Sequence, residues 1–140
     1  MSTQDSMSVV RQFIERAWIG KEVDAALDFY APDFIYHNPA MKGMPPGLDG
    51  IRALLAGFHA AFPDADYRID ALVGEGEMVG VLYSWRGTNR GPLGPMPATL
   101  RTATAAGAIF CRVVDGRIVE QWDIDDRLGV MQQLGLLPAA

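Results

Sequence analysis

Arg112-Val113-Val114-Asp115-Gly116-Arg117-Ile118-Val119-Glu120-Gln121-Trp122-Asp123-Ile124-Asp125 is the stretch whose reading decides the fold. Two runs of β-branched and aromatic residues meet at Asp115-Gly116, and Asp-Gly is among the strongest short signals for a tight hairpin. Residues 104–114 and 117–125 therefore read as paired antiparallel strands. Working backwards, residues 67–74 and 77–88 have the same composition, with Gly74-Glu75-Gly76 between them as a turn. A segment rich in Pro, Gly and Met, 91–97, separates the two pairs. Before Pro63 the period changes. Val9/Val10, Phe13/Ile14 and Ala17/Trp18 are apolar pairs four apart, which predicts a helix over 5–20 stopped by Gly20. Asp24 reads as the N-cap of a short helix over 25–30, closed by Pro32. Phe34-Ile35-Tyr36-His37 reads as a short strand ending at Pro39, and 40–50 as a loop. Ile51, Leu54, Leu55, Phe58 and Phe62 then restore the helical period, and 126–135 forms a closing helix.

Helices first and antiparallel strands afterwards make the chain α+β. The expected architecture is a single domain over residues 1–140. In it a long, curved, four-stranded antiparallel sheet wraps around the N-terminal helices and encloses a pocket lined by both.

With 140 residues and 49% hydrophobic content, the chain can bury roughly two-thirds of its unfolded surface in one core. Seventeen acids against twelve bases leave a net charge of −5, a sign that disfavours nucleic acid and anionic membranes as partners. No apolar run approaches the ~18 residues of a membrane span. Residues 1–6 lack the basic and apolar regions of a secretory signal, and the single cysteine forms no internal disulfide, so a cytoplasmic protein is expected. His37, His59 and Cys111 are too few and scattered for a zinc site, so no metal is expected. Neither a Gly-x-Ser-x-Gly elbow nor a phosphate-binding glycine loop occurs. Cys111, in mid-strand, reads as a small buried hydrophobe.

The chemistry concentrates at the acidic end of the last strand. Alternation puts Val119, Gln121, Asp123 and Asp125 on one face and Ile118, Glu120, Trp122 and Ile124 on the other. Aspartate is depleted in strands, and one projecting into an apolar pocket would have its pKa raised toward the range of a general base. Asp125 and Asp126 read instead as solvated strand-end or helix-capping residues. His37, beside Asn38, has the chemistry to polarise a carbonyl or carry a proton. Trp18, Phe58, Phe62, Tyr83, Trp85 and Trp122 supply flat surfaces to a core or a ligand cavity. Met41 and Met44 in one loop, with Met96 in the other, suit an adaptable rim.

Taken together, Phe34-Ile35-Tyr36-His37-Asn38-Pro39, Gly87-Thr88-Asn89-Arg90-Gly91, the 115–123 segment and Asp126-Arg127-Leu128-Gly129-Val130-Met131-Gln132-Gln133-Leu134-Gly135 give the chain a family likeness. It resembles the SnoaL-like polyketide cyclases of the nuclear-transport-factor-2-like superfamily, from Val9 to Pro138. The resemblance implies a cone-shaped α+β barrel, usually dimeric through the outer sheet face. It also implies cofactor-free intramolecular aldol cyclisation of an apolar cyclic carbonyl or ester substrate. It places the acid/base role on Asp123, with His37 as a partner from across the pocket. Trp18, Asn38, Phe58, Trp85, Met96, Ile109 and Gln121 are the expected substrate contacts. Two positions depart from the cyclases: Ile109 stands where they carry a histidine, and Asn89 where many do. Ketosteroid isomerase, in the same superfamily, has its base where this chain has Asn38 and its oxyanion tyrosine where it has Phe13. A non-catalytic module binding a hydrophobic small molecule therefore stays open beside the enzyme, as does an epoxide hydrolase or isomerase.

Overall fold

The computed structural model describes residues 2–138; residues 1, 139 and 140 of the expected domain lie outside it. Helix α1 (Thr3–Ile14) starts with a capping box, in which Ser2 Oγ accepts from the Asp5 amide and Asp5 accepts from the Ser2 amide. The predicted single helix to Gly20 differs in its last turn. Glu15–Ile19 is a π-helical turn, closed by the Gly20 amide on the Glu15 carbonyl at 2.7 Å. This wider turn turns both Ala17 and Trp18 inward, and the Ala17 carbonyl accepts from His59 Nε2 at 2.7 Å.

Helix α2 (Val23–Leu27) is shorter than predicted and Asp24 does not cap it. Tyr30, expected at its end, instead opens β1 (Tyr30–His37), because its ring is buried edge-on against Phe13 at 5.2 Å and against Phe34 at 4.4 Å. Pro32 is tolerated inside β1 because β1 is an edge strand with a register shift between Tyr30 and Ile35. Helix α3 (Gly47–Ala61) begins before the predicted Ile51. Gly50, read as loop, lies where a Cβ would come within 2.0 Å of the Pro45 carbonyl, so only glycine lets the first turn fold back on Pro45.

The remaining strands are β2 (Asp66–Glu75), β3 (Met78–Thr88), β4 (Thr102–Val114) and β5 (Arg117–Asp125), followed by α4 (Arg127–Gln133). Asp115 and Gly116 both have positive φ, 51° and 78°, the backbone of the two-residue turn that Asp-Gly predicted. The sheet has five strands, not the expected four, in the order β1-β5-β4-β3-β2. Strand β1 joins β5 in parallel, so the sheet is not wholly antiparallel, and it curves without closing into a barrel. A bulge at Val119 also corrects the predicted alternation. Ile118 pairs with Val113 and Glu120 with Arg112, leaving Val119 unopposed, so Ile118 turns into the core on the same side as Gln121 and Asp123.

The inner face of β2, β3 and β4 packs on α1, while α3 packs on β1; Val10, Phe13, Ile14, Ile51 and Leu55 share one core with Val79, Val81, Cys111 and Val113. Each such side chain contributes about 1.5–3 kcal/mol by leaving water. The segment between β3 and β4 is held at its base by Asn89, which is fully buried. Asn89 donates to the Ala61 and Gly91 carbonyls and accepts from the Thr99 amide and hydroxyl at 2.8 and 3.0 Å. Asn89→Ala leaves those groups without partners. It is expected to cost about 2–4 kcal/mol, read as a lower urea midpoint at unchanged m-value.

Candidate functional site

Between the π-helical turn, α3, the inner sheet face, the 92–96 segment and α4 lies a cavity of about 480 Å³. That volume suits a drug-sized molecule. Trp18, Asn38, Phe58, Trp85, Met96 and Ile109, all expected substrate contacts, line it, and so does Asp123. The geometry behind this is local. Trp18 is delivered by the π-helical turn, Phe58 by the inward stripe of α3, and Trp85, Ile109 and Asp123 by alternation along three neighbouring strands. Ile109 and Asp123 are direct cross-strand partners.

Sequence reasoning missed part of the wall. Tyr67, unlike Tyr83, is not among the aromatics expected there; the two stack with Trp18 in a ladder, Trp18 on Tyr67 at 5.3 Å and Tyr67 on Tyr83 at 4.9 Å, with nearly parallel planes at each step. Arg127, Val130 and Met131 of α4 close the far side. Alternation on β3, where Val79, Val81, Tyr83 and Trp85 are buried in phase, marks Tyr83; β2 offers no such phase, and Tyr67 is turned inward by its pairing with Trp85.

Asp123 is 5% exposed, near the C-terminal end of β5. Its Oδ2 accepts from the Tyr36 hydroxyl at 2.5 Å and its Oδ1 from Gln121 Nε2 at 2.9 Å. Behind them, Tyr30 donates to Gln121 Oε1 at 2.5 Å and Asn38 Nδ2 donates to the Tyr36 hydroxyl at 3.0 Å. Burial pushes the Asp123 carboxyl up to about 6, against the two hydrogen bonds, which favour its charge; the nearby Asp125 carboxylate adds to the rise. The Tyr36 phenol is pushed far above its ordinary value by burial and by Asp123, so it is a donor at every working pH. The carboxylate is thus mostly ionised at pH 7, held by donors, and faces an aromatic cavity. That combination can remove a proton from carbon and return one to oxygen.

Two expectations are corrected. Gln121 is 1% exposed and does not line the cavity; it bridges Tyr30 and Asp123 within the wall, so its contact is with the carboxylate and not with a ligand. His37 does not reach across the pocket. Its side chain leaves β1 on the outer sheet face, stacked on Trp122 at 5.1 Å and bonded to Glu120 at 2.7 Å, with Arg112 also on Glu120. The reason is strand periodicity. Phe34 and Tyr36 share the inward face, while Ile35 and His37 share the outward one. The same periodicity identifies Tyr36 as the β1 residue that meets Asp123. Asp126 caps α4 through the Gly129 amide at 3.0 Å, as expected. His59 is held below its ordinary value by burial and bonds only the Ala17 carbonyl. Among the described residues no group of three or more His, Cys, Asp or Glu is placed to hold a metal ion.

A fold and site of this kind define a protein built around a largely apolar cavity with a buried carboxylate, Asp123, in its wall. The chain matches the SnoaL-like polyketide cyclase model over residues 8–134, and it belongs to that family. It is 31% identical to the aklanonic acid methyl ester cyclase DnrD of Streptomyces peucetius, over 96% of this chain and 92% of that one. It is 28% identical to the aklanonic acid methyl ester cyclase DauD of Streptomyces sp. strain C5, over 92% and 81%. Among solved structures, TsrD from Streptomyces laurentii superposes with a TM-score of 0.83 at 25% identity, covering 98% of this chain and 99% of that one.

The raised Asp123 carboxyl has a consequence for stability. Between the ordinary value of 3.8 and about 6, the folded protein holds a proton that the unfolded chain has released. Stability from this group is therefore greatest at low pH and declines as pH rises through that window. Asp123→Asn is expected to melt higher than wild type at pH 7.5, by up to about 3 kcal/mol. The difference should vanish near pH 4, as read by calorimetry across pH.

Proposed function

We propose that the protein is a cyclase that closes a ring in a polyketide-derived aromatic ester by intramolecular aldol addition, with Asp123 as the base. The observation that carries this reading is the nearly ionised, water-excluded carboxylate of Asp123 in a cavity walled by Trp18, Tyr67 and Tyr83. Asp123 takes a proton from the carbon next to the ester carbonyl. The enolate so formed is delocalised through the substrate's own ring system and adds to a ketone carbonyl of the same molecule. One carbon–carbon bond forms, the carbonyl π bond breaks, and the resulting alkoxide recovers the proton from Asp123. Product and substrate are isomers of equal mass. The aromatic ladder supplies the orientation that makes the addition intramolecular in effect as well as in name.

A second reading, a carrier that binds such a ligand unchanged, is favoured by one observation. Ile109, the cross-strand partner of Asp123, presents no polar group to the cavity where the family's cyclases carry a histidine. Incubation with aklanonic acid methyl ester, the compound named for two relatives, separates the readings by chromatography with mass detection. A cyclase yields a product of unchanged mass and altered retention; a carrier returns the ester. For the cyclase, turnover should rise with pH through about 6 and level off above, because the base works deprotonated. Asp123→Asn should lower kcat by about 10²–10⁴-fold while the ester still binds within a few-fold of wild type. Equal turnover in that variant removes Asp123 from the mechanism.

The outer sheet face carries Leu82, Phe110 and Ile124, each 43% exposed or more, in adjoining rows of β3, β4 and β5. We read this apolar face as the seat of a homodimer, in keeping with the family resemblance. Sedimentation at micromolar concentration should give about twice the 15.2 kDa chain mass, and Phe110→Glu should halve it. Among the described residues no helix is long and apolar enough to cross a membrane; the cytoplasmic location is a proposal from the sequence alone.

A further inference from the structure

The hydrogen bonds that converge on Asp123 all run in one direction. Asn38 Nδ2 has only protons to offer, so the Tyr36 hydroxyl accepts from it at 3.0 Å and directs its own proton to Asp123 Oδ2 at 2.5 Å. On the other side Tyr30 donates to Gln121, and Gln121 donates to Asp123 Oδ1. Neither chain can reverse while Asp123 is ionised, because a carboxylate has no proton to give. Tyr36 itself does not line the cavity, whereas Asp123 does.

We propose that Tyr36 is a positioning residue, one that holds Asp123 in its acceptor-only, ionised form without touching the ligand. Its hydroxyl opposes what burial costs the carboxylate, and Asn38 polarises that hydroxyl from behind. The effect on turnover rests on the reading of Asp123 as the base; the effect on ionisation does not. Other titratable and charged groups face Asp123 from every element packed around it. These are Tyr30 on β1, Tyr67 on β2, Tyr83 on β3, Cys111 on β4, Asp125 on β5 and, at the cavity edge, Arg127 on α4. Among the described residues only Tyr36 and Gln121 hydrogen-bond the carboxylate. Gln121 is embedded in the wall, so its removal would open a void. Tyr36 can lose its oxygen alone.

Tyr36→Phe is that change. With aspartate carboxyl carbons labelled with ¹³C, and Asp123→Asn used to assign the signal, the Asp123 titration is followed by NMR in wild type and variant. The midpoint is expected to rise by about one unit, a tenfold smaller ionised fraction at pH values below both midpoints. The near-UV circular dichroism of the variant should match that of wild type. Should Tyr36→Phe fail to fold, Asn38→Ala weakens the same donor and is expected to move the midpoint upward by a smaller amount. An unmoved or lowered midpoint in a folded variant overturns the proposal. With aklanonic acid methyl ester as probe, kcat should fall about tenfold near pH 5.5 and recover by pH 8, with KM unchanged. A midpoint that rises by NMR with no counterpart in turnover leaves Tyr36 as the holder of the charge and removes Asp123 as the base.

Discussion

A charge withdrawn from water is the constraint on which the rest of this structure turns. An isolated carboxylate moved into an apolar interior simply takes up a proton. Asp123 is 5% exposed yet titrates near 6 because two donors meet its oxygens and a tyrosine or an amide stands behind each. That arrangement needs β1 beside β5 in parallel register, with Tyr36 opposite Gln121. It also needs the bulge at Val119, which sets the phase in which Gln121 and Asp123 both point inward. The edge strand is therefore more than the sheet's margin; it supplies two of the four groups that make the carboxylate tenable.

The cavity depends on the same geometry from the other side. Helix α1 covers the inner face of β3 and β4, while the π-helical turn, α3 and the 92–96 segment surround the cavity. Asn89 fixes that segment to Ala61 at the end of α3, so one wall of the cavity is tied to the helix that forms another. Trp18, Tyr67 and Tyr83, stacked on one another, line it with aromatic carbon, a wall suited to flat ring systems. Burial of Asp123 in this wall raises the basicity of its carboxylate above that of an ordinary aspartate.

Much of this was legible in the sequence, because it follows from short-range rules. The Asp115-Gly116 hairpin and the α1 stripe follow from turn chemistry and period alone, and the choice of Asp123 follows from the family resemblance, period leaving open which face of β5 turns inward. What was illegible is what depends on partners distant in the chain. Nothing local in Tyr30 through His37 announces a parallel pairing with a strand almost ninety residues later. The Val119 bulge has no sequence mark either, since Val and Glu both suit a regular strand. His37 has the chemistry of an acid/base partner, but its strand phase turns it outward onto Glu120. Gln121 was placed on the correct face, but a polar residue on the inner face can serve the wall instead of the cavity, and only the Tyr30 contact decides which.

The measurement that bears most directly on this account is the crystal structure of Asp123→Asn bound to aklanonic acid methyl ester. The account places the ring system against Trp18 and Tyr67, with the carbon beside the ester carbonyl within about 3.5 Å of the side chain at position 123. An ester bound elsewhere, or seated in the cavity with that carbon turned away from position 123, would contradict it.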